Sequence, residues 1–527
     1  MATNDPTAGH LGLGIQRVPE RVDDVREPGP NMAVEGLAMG AGLGGSMRCS
    51  ICRTASDLAA AMQRQSSGSL TGLGFLPVLG AKMGFYSSLR TTVFSLSVVV
   101  HAWRVTGSAR LSHPRLRADL SPPRTEEELK EFVTLYGDSY LSSVEMGGEC
   151  FGVFTFRAES REQAERVEKA LGVGGVINGL QIGANFNSAL ESASRASAVN
   201  ASFSYQVWGV SDSPALTPDA LVPYALGFSN SSIDKPILLD LATKGYETVP
   251  EIGTAFLPVA ANRDLFTRRE GLLRKRQRLQ ELINQMDHTD RTLAVYGVTL
   301  PDLEVLANQR HVAESDLDRL DGLMSTYHAN PAAPLQEPEL PSLAVGSPRL
   351  WAKVKEEPAT RIDPTRGAKG EPFPFPFERS TAVQHQVRLT GIGLEAGWRV
   401  DKLRLRYSSN LSGQEVVEES HGGDRGNDLG DITFGPGEGV TAIYSEFGTN
   451  IDRLRLETDQ GVLESTGDQG DKQRPVNWTR APGEVVLGFS GRADDLPTGA
   501  LYGLQAVVAR FEEIVWEPID RLDQEDG

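Results

Sequence analysis

Three glycine-to-aspartate intervals stand out among the residues that could do chemistry. Gly397 opens GWRVDKLRLRYSS and Gly448 opens GTNIDRLRLETDQ. Both read Gly-x-x-x-Asp, a basic residue, then Leu-Arg-Leu. A third interval, GRADD at 491–495, follows VVLGFS, and LPTGA then intervenes before LYGLQAVV. A carboxylate at the end of a glycine turn is a hydrogen-bond acceptor, for its own turn as an Asx-type turn or for a ligand. Nothing beside it suggests catalysis. The eight histidines form no HExxH, and there is no GxSxG, no P-loop and no GxGxxG in a βαβ context. Acidic residues abound, yet no placed pair of the kind a glycosidase requires is visible. Cys49 and Cys52 form a CxxC without a second pair of ligands at zinc spacing, and read as small, partly buried residues. The expectation is a protein that is not an enzyme and uses no metal or cofactor.

The elements around these turns come next. Leu-Arg-Leu alternation places leucines inward and arginines outward on a strand. Three copies of a glycine turn feeding a strand predict a pseudo-threefold all-β unit over 381–517. With HGG at 421–423, GPGEGVTAI, FGTNIDRLRLET and GFSGRADD, this region resembles a jacalin-related lectin, a β-prism. The resemblance implies that a Gly-x-x-x-Asp turn binds sugar. Its carboxylate would accept from two hydroxyls, and amides of the turn and of a neighbouring glycine loop would complete the ring. Carried over, Gly491 and Asp495 match the principal carbohydrate site, with Arg492, Ala493 and Asp494 supplying turn backbone. Gly397 with Asp401 and Gly448 with Asp452 match the same turn more weakly, a structural Asx-type turn being the preferred reading there.

A second constellation lies at TEEELKEFVTLYGDSYLSSVEMGG. Thr125 and Glu128 make a capping box, and Leu129, Phe132, Val133 and Tyr136 share one helical face. A strand follows and ends in Gly147-Gly148, where two missing Cβ atoms allow positive φ and a bend. Further on, Ala193, Val199, Ala201, Phe203, Tyr205 and Val207 alternate with polar residues, as a strand between lipid and water requires. The spacing Tyr136-Gly137, Tyr140, Gly147-Gly148 resembles the signature of membrane attack complex/perforin (MACPF) proteins, with Asp138 and Ser139 replacing its Thr/Ser and His. The resemblance implies a bent, twisted antiparallel sheet with flanking helical clusters, at about 49–86 and 157–200, that refold into transmembrane β-hairpins. A lone hairpin leaves backbone groups unpaired in lipid, so insertion would follow assembly of a ring.

The expected fold class is therefore an α+β MACPF domain, a helical hairpin and an all-β prism. The predicted boundaries are a flexible arm at 1–35, the pore-forming domain at 36–261 and the hairpin at 262–328. A Pro-rich linker at 329–380, the lectin domain at 381–517 and an acidic tail at 518–527 complete the chain. In the hairpin, Leu265, Leu272, Leu279 and Met286 fall seven apart. Leu303, Leu306, Ala313, Leu317, Leu320 and Met324 follow heptad spacing after a capping box at Thr299 and Asp302. The basic run Arg268, Arg269, Arg274, Lys275, Arg276, Arg278 reads as a solvated face.

The net charge of −18 over 527 residues argues against a nucleic-acid partner and against simple attachment to anionic lipid. No apolar run reaches the roughly 20 residues of a spanning helix, and the first residues lack a signal-peptide pattern. The expected partners are cell-surface carbohydrate, target membrane lipid and further copies of the chain in a membrane-bound ring. The expected function is a pore-forming cytolysin or toxin, made soluble, released without a signal peptide and acting at a target membrane. The alternative is a non-lytic carbohydrate-binding lectin or adhesion protein.

Overall fold

A computed structural model describes residues 11–18, 32–40, 44–52, 61, 95–157, 166–171, 185–196, 202–212, 214–268, 270–358, 370–377, 379–383, 386–409, 415–447, 450–465 and 476–517. The chain forms two compact units. One holds Met1–Phe156, Glu165–Ile283 and His311–Val345, and the other holds Arg157–Ala164, Asn284–Arg310 and Gly346–Gly527.

The first unit is built on two long strands, β4 (Ser95–Leu116) and β5 (Ser139–Arg157), which neighbour each other in the sheet. Ser97 meets Thr155 and His101 meets Glu149, a register that makes the pair antiparallel. Along the outer edge of β4 lie β2 (Val34–Gly40) and β3 (Gly44–Cys52). Along the outer edge of β5 lie β6 (Ser202–Trp208) and β7 (Ile237–Gly245). Six of the sheet's seven strands thus fill four positions, with both outer positions taken by two successive strands, and the short seventh, β1, pairs with the start of β5. β7 pairs with β5 up to Gly147 and β6 takes over from Glu149, so the handover falls at Gly147-Gly148.

Apolar side chains cover both faces of this sheet. On one, Val98, Val100, Cys150 and Phe154 pack with Val167 and Leu171. Ala189 and Ala193 of helix α2 (Asn185–Ala196) and Leu221 and Phe228 of helix α3 (Pro218–Phe228) join the same core. On the other face, Val99, Phe151 and Val153 meet Cys52 and Ala61. Cys49 and Cys52 therefore sit in opposite clusters, as residues three apart on a strand must, and cannot act together. Burial pushes the Cys49 thiol up to about 12, which keeps it from the reactive thiolate form.

The capping box holds as expected. Helix α1 (Glu126–Tyr136) starts with the Thr125 side chain accepting from the Glu128 amide, and it buries Leu129, Phe132 and Val133. Several other expectations are corrected. Residues 11–18 are no loose arm: β1 (Gly14–Ile15) pairs with Tyr140 and Ser139, and Leu11, Ile15 and Val18 are buried. Neither Gly147 nor Gly148 has positive φ; close backbone neighbours, not left-handed geometry, require glycine there. Ser192–Ala196 belong to α2, against the period-two expectation there, while Ser202–Trp208 form a strand; Val199 and Ala201 lie outside the described residues. The rest of the two clusters expected at 49–86 and 157–200 lies largely outside the described residues.

Helices α4 (Gly253–Thr267), α5 (Leu272–Tyr296) and α6 (Leu303–Ala329) follow. The predicted seam is buried at Leu272, Leu279, Met286, Leu306, Ala313, Leu320 and Met324. α6 starts at Asp302, whose carboxylate accepts from the Ile514 amide rather than closing a box with Thr299. In the basic run, Arg268 and Lys275 pair with Glu337, Arg274 and Arg278 with Glu270, and Arg276 with Asp321. Arg269 lies outside the described residues.

The second unit contains three four-stranded antiparallel sheets. The first comprises β10 (Arg388–Ala396), β11 (Val400–Ser409), β12 (Glu415–Gly422) and β13 (Asn427–Thr433). The second comprises β14 (Val440–Phe447), β15 (Ile451–Thr458), β16 (Gly461–Glu464) and β17 (Val476–Thr479). The third joins β8 (Ser347–Pro358) and β9 (Glu371–Phe373) to β18 (Glu484–Ala493) and β19 (Leu501–Glu517). Leu403, Leu405, Leu454, Leu456 and Leu504 fill the interior, as the alternation predicts.

The expected linker is the largest correction. Ser347–Pro358 pairs along β19 and Glu371–Phe373 along β18, so these residues are integral to the third sheet, which begins well before 381. Their prolines stand on edge strands, where a missing amide costs no ladder bond. Residues 330–337 are also fixed, since the Asn262 amide donates to the carbonyls of Pro331 and Ala333. The acidic tail at 518–527 lies outside the described residues.

Candidate functional site

Strand register decides which turns correspond. The hairpin β10–β11 closes at Ala396↔Val400, β14–β15 at Phe447↔Ile451 and β18–β19 at Ala493↔Leu501. Each has a bulge just before closure, at Glu395/Ala396, Glu446/Phe447 and Arg492/Ala493. Asp401 and Asp452 thus occupy the first position after closure, and Tyr502 occupies it in the third hairpin. The expected principal site is corrected accordingly. Gly491, Arg492 and Ala493 lie within β18, paired with Leu504, Gly503 and Leu501 on one side and with the short strand β9 on the other, and do not open a turn. The seven residues from Asp494 to Ala500 make the third turn and concealed this register in the sequence.

Asp494 and Asp495 bind structural partners. Asp494 donates its amide to the Ala500 carbonyl, and Asp495 accepts from the Gly422 amide at 2.7 Å. Gly448 lies outside the described residues, and Asp452 is buried on β15.

The turn from Gly397 to Asp401 is the best-formed cluster. The Gly397 amide donates to Asp401 Oδ2 at 3.1 Å, and Arg399 Nε donates to Asp401 Oδ1 at 3.2 Å. Arg399 Nη2 reaches the carbonyls of Thr498 at 2.8 Å and Gly499 at 3.0 Å. The glycine pair after β12 closes over the same aspartate, with the Gly423 amide donating to the Asp401 carbonyl at 2.9 Å. Gly422 needs to be glycine here, because its φ is +109° and a Cβ would overlap that carbonyl oxygen. Three segments distant in sequence thus meet at one end of the unit: 397–401, 422–424 and 494–499. Trp398 stands exposed over the cluster, 57 % accessible, with the Arg399 guanidinium carbon 4.8 Å from its ring centre.

The MACPF-like positions are brought together differently. Tyr136 offers its carbonyl to the Tyr246 hydroxyl, Gly137 closes α1 through the Val133 carbonyl, and buried Tyr140 bonds Thr248 at 2.9 Å. Asp138, a substitution in the signature, proves to be a buried junction. Its carboxylate accepts from the Arg17 and Val18 amides, Gln16 Nε2, Ser139 Oγ and Tyr327 Oη. Arg263 Nη1 donates to its peptide carbonyl. No local signal in the sequence could have found this hub, because most of its partners lie more than a hundred positions away.

Among known proteins, residues 364–497 match the jacalin-like lectin domain family. Comparison of the whole chain with curated proteins finds no match. Similar solved structures include Malaysian banana lectin, 19% identical, covering 23% of this chain and 82% of that one, with a TM-score of 0.19. A mannose-binding jacalin-related lectin from Ananas comosus is 17% identical over 30% of this chain and 96% of its own, with a TM-score of 0.22. Artocarpin, solved with mannotriose, is 16% identical over 23% and 83%, with a TM-score of 0.19. By the family match, residues 364–497 of this chain are a jacalin-like lectin domain.

Proposed function

We propose that the chain is a glycan-binding protein, not an enzyme, and that its carbohydrate site is the turn Gly397–Asp401 with Gly422 and Gly423. The observation that carries this reading is the closure of the glycine pair over Asp401, which sets turn amides and a carboxylate together at one end of the unit. Charge-assisted hydrogen bonds to a carboxylate are short and orienting, which suits a polyol. Asp401→Asn is expected to weaken glycan binding by the full-length protein about ten- to hundredfold, the worth of one charge-assisted bond. Calorimetric titration with a glycan selected from an array measures it. Unchanged affinity in Asp401→Asn, with loss in Asp495→Asn, would move the site to the third turn.

A second reading, pore formation of the MACPF kind, is supported by the sheet of the first unit. The segment 53–94 joins β3 to β4 and 158–201 joins β5 to β6. The antiparallel register puts both at the same end of the sheet. Each is long enough for two spanning strands of about 10 residues. In this reading the lectin domain docks on a cell-surface glycan, copies gather into a ring by avidity, and the two segments enter lipid as hairpins. Among the described residues no helix is long and apolar enough to cross a membrane, so crossing would be by strands. Dye release from glycan-bearing liposomes tests it. Leakage that stops when a competing free glycan is added is the expected result, and binding without leakage leaves a non-lytic lectin.

A further inference from the structure

The Gly397–Asp401 turn differs in one respect from a simple acceptor for hydroxyl groups: its carboxylate is already engaged. Asp401 Oδ2 takes the Gly397 amide and Oδ1 takes Arg399 Nε. The two side chains are only 5% and 16% exposed, for Asp401 and Arg399 respectively. What the turn still offers is mostly donors. Arg399 spends Nε on Asp401 and both hydrogens of Nη2 on two carbonyls. Its Nη1 bonds no group among the described residues, which leaves two N–H donors on a fixed cation. The amides of Trp398 and Arg399 likewise donate to no protein group among the described residues. Beside them stands the exposed indole of Trp398, stacked on the same guanidinium.

A cationic edge held by three hydrogen bonds, two unused turn amides and a free aromatic face together suit an acceptor-rich ligand with an apolar side. Resting on the lectin site proposed above, we infer that this turn selects a sugar bearing an anionic group, carboxylate or sulfate, with Arg399 as the selecting residue and Trp398 as the face on which the ring lies. Asp401 then serves to hold Arg399 in place. An arginine so pre-positioned loses little further freedom on binding, and its planar fork matches carboxylate and sulfate oxygens. Nearby charge is partly compensated. Asp424 is paired with Lys402, while Asp494 and Asp495 in the facing loop have no cation partner among the described residues and oppose an anion, Asp495 being held by the Gly422 amide.

The test is binding of the full-length protein to a glycan array with matched neutral, sulfated, uronate-capped and sialylated oligosaccharides, followed by titration of the best pair. The expected result is at least about tenfold tighter binding of the acidic member, the worth of one charge-assisted bond. That preference should fall as salt rises. The sulfated and carboxylated arms tell which anion is preferred. Arg399→Gln should abolish the preference, bringing the ratio of acidic to neutral affinity to about one whatever the change in neutral binding. Asp494→Asn should widen the preference, and Trp398→Ala, at an exposed position, should weaken both ligands together. Equal binding of neutral and acidic partners, unchanged in Arg399→Gln, overturns the inference and leaves the lectin site standing. Failure to bind any glycan overturns the site and the inference with it.

Discussion

Asp138→Ala is expected to destabilise the first unit by about 3–5 kcal/mol, the cost of leaving the partners of a buried charge unsatisfied. The carboxylate is wholly buried and serves five donors: two amides, an amide side chain and two hydroxyls. Alanine removes the acceptor common to all five. The donors arise from three places, the segment 16–18, the start of β5 and the C-terminal half of α6, so the loss loosens all three together. Tyr327→Phe removes one donor and is expected to cost about 1.5–3 kcal/mol, the range for a bond to a charged group. Hydrogen exchange at residues 11–18 reads the difference, since their amides open first when the junction fails. Equal protection in Asp138→Ala and wild type would refute the junction. Burial raises the Asp138 carboxyl above its ordinary range, against the opposing pull of Arg263 and the hydrogen bonds. The folded state therefore holds this proton more tightly than the unfolded chain does. Wild type accordingly gains stability relative to Asp138→Asn as pH falls through the folded pKa, and loses that increment as pH rises through it. Chemical denaturation of both proteins along a pH series checks the sign.

The elements that could be read from the sequence are those whose information is local. The α1 capping box needs only Thr125 and Glu128, three positions apart, and forms as predicted. The Leu-Arg-Leu strands declare their inward face through period two, and the buried leucines of α5 and α6 declare theirs through the heptad. What escaped notice depends on pairing at long range. The Pro-rich composition of 329–380, with Pro331, Pro334, Pro338, Pro341 and FPFPF at 373–377, suggests a linker, because sequence carries no mark of an edge strand whose partner lies some 150 residues away. The third turn is hidden in the sequence for a related reason. GRADD satisfies the Gly-x-x-x-Asp pattern, yet its glycine lies mid-strand, and only the register of β18 against β19 reveals that Tyr502 is the counterpart of Asp401. The role of the neighbouring HGG depends likewise on long-range pairing, which ends β12 against the Asp401 carbonyl.

Gly147→Ala is expected to cost the first unit about 3 kcal/mol or more, at the upper end of overpacking penalties, whereas Gly148→Ala is expected to cost about 1 kcal/mol. The asymmetry follows from what each new methyl would meet. At Gly147 it overlaps the backbone carbonyl of Arg104 on β4 and the Leu239 side chain on β7. A carbonyl fixed in a long central strand cannot turn aside, so β4 and β5 must separate. At Gly148 the nearest atom is the end of the Ile233 side chain, which can change rotamer, and the Trp208 backbone carbonyl oxygen follows at 2.9 Å, a milder overlap than the closer approach of the Arg104 carbonyl at Gly147. Were the pair required for conformational freedom alone, the two substitutions would cost alike, because both residues take φ values open to any amino acid. Urea denaturation followed by tryptophan fluorescence separates the two accounts. Trp103 and Trp208 lie in the strands flanking the handover, so its loosening should reach them first. Glycan binding provides the control, since the lectin domain belongs to the other compact unit and should titrate as wild type in both variants. Equal costs at 147 and 148 would restore a hinge as the reason for the glycines. A large cost at 147 alone means that they are there to let two strands and a turn approach closely.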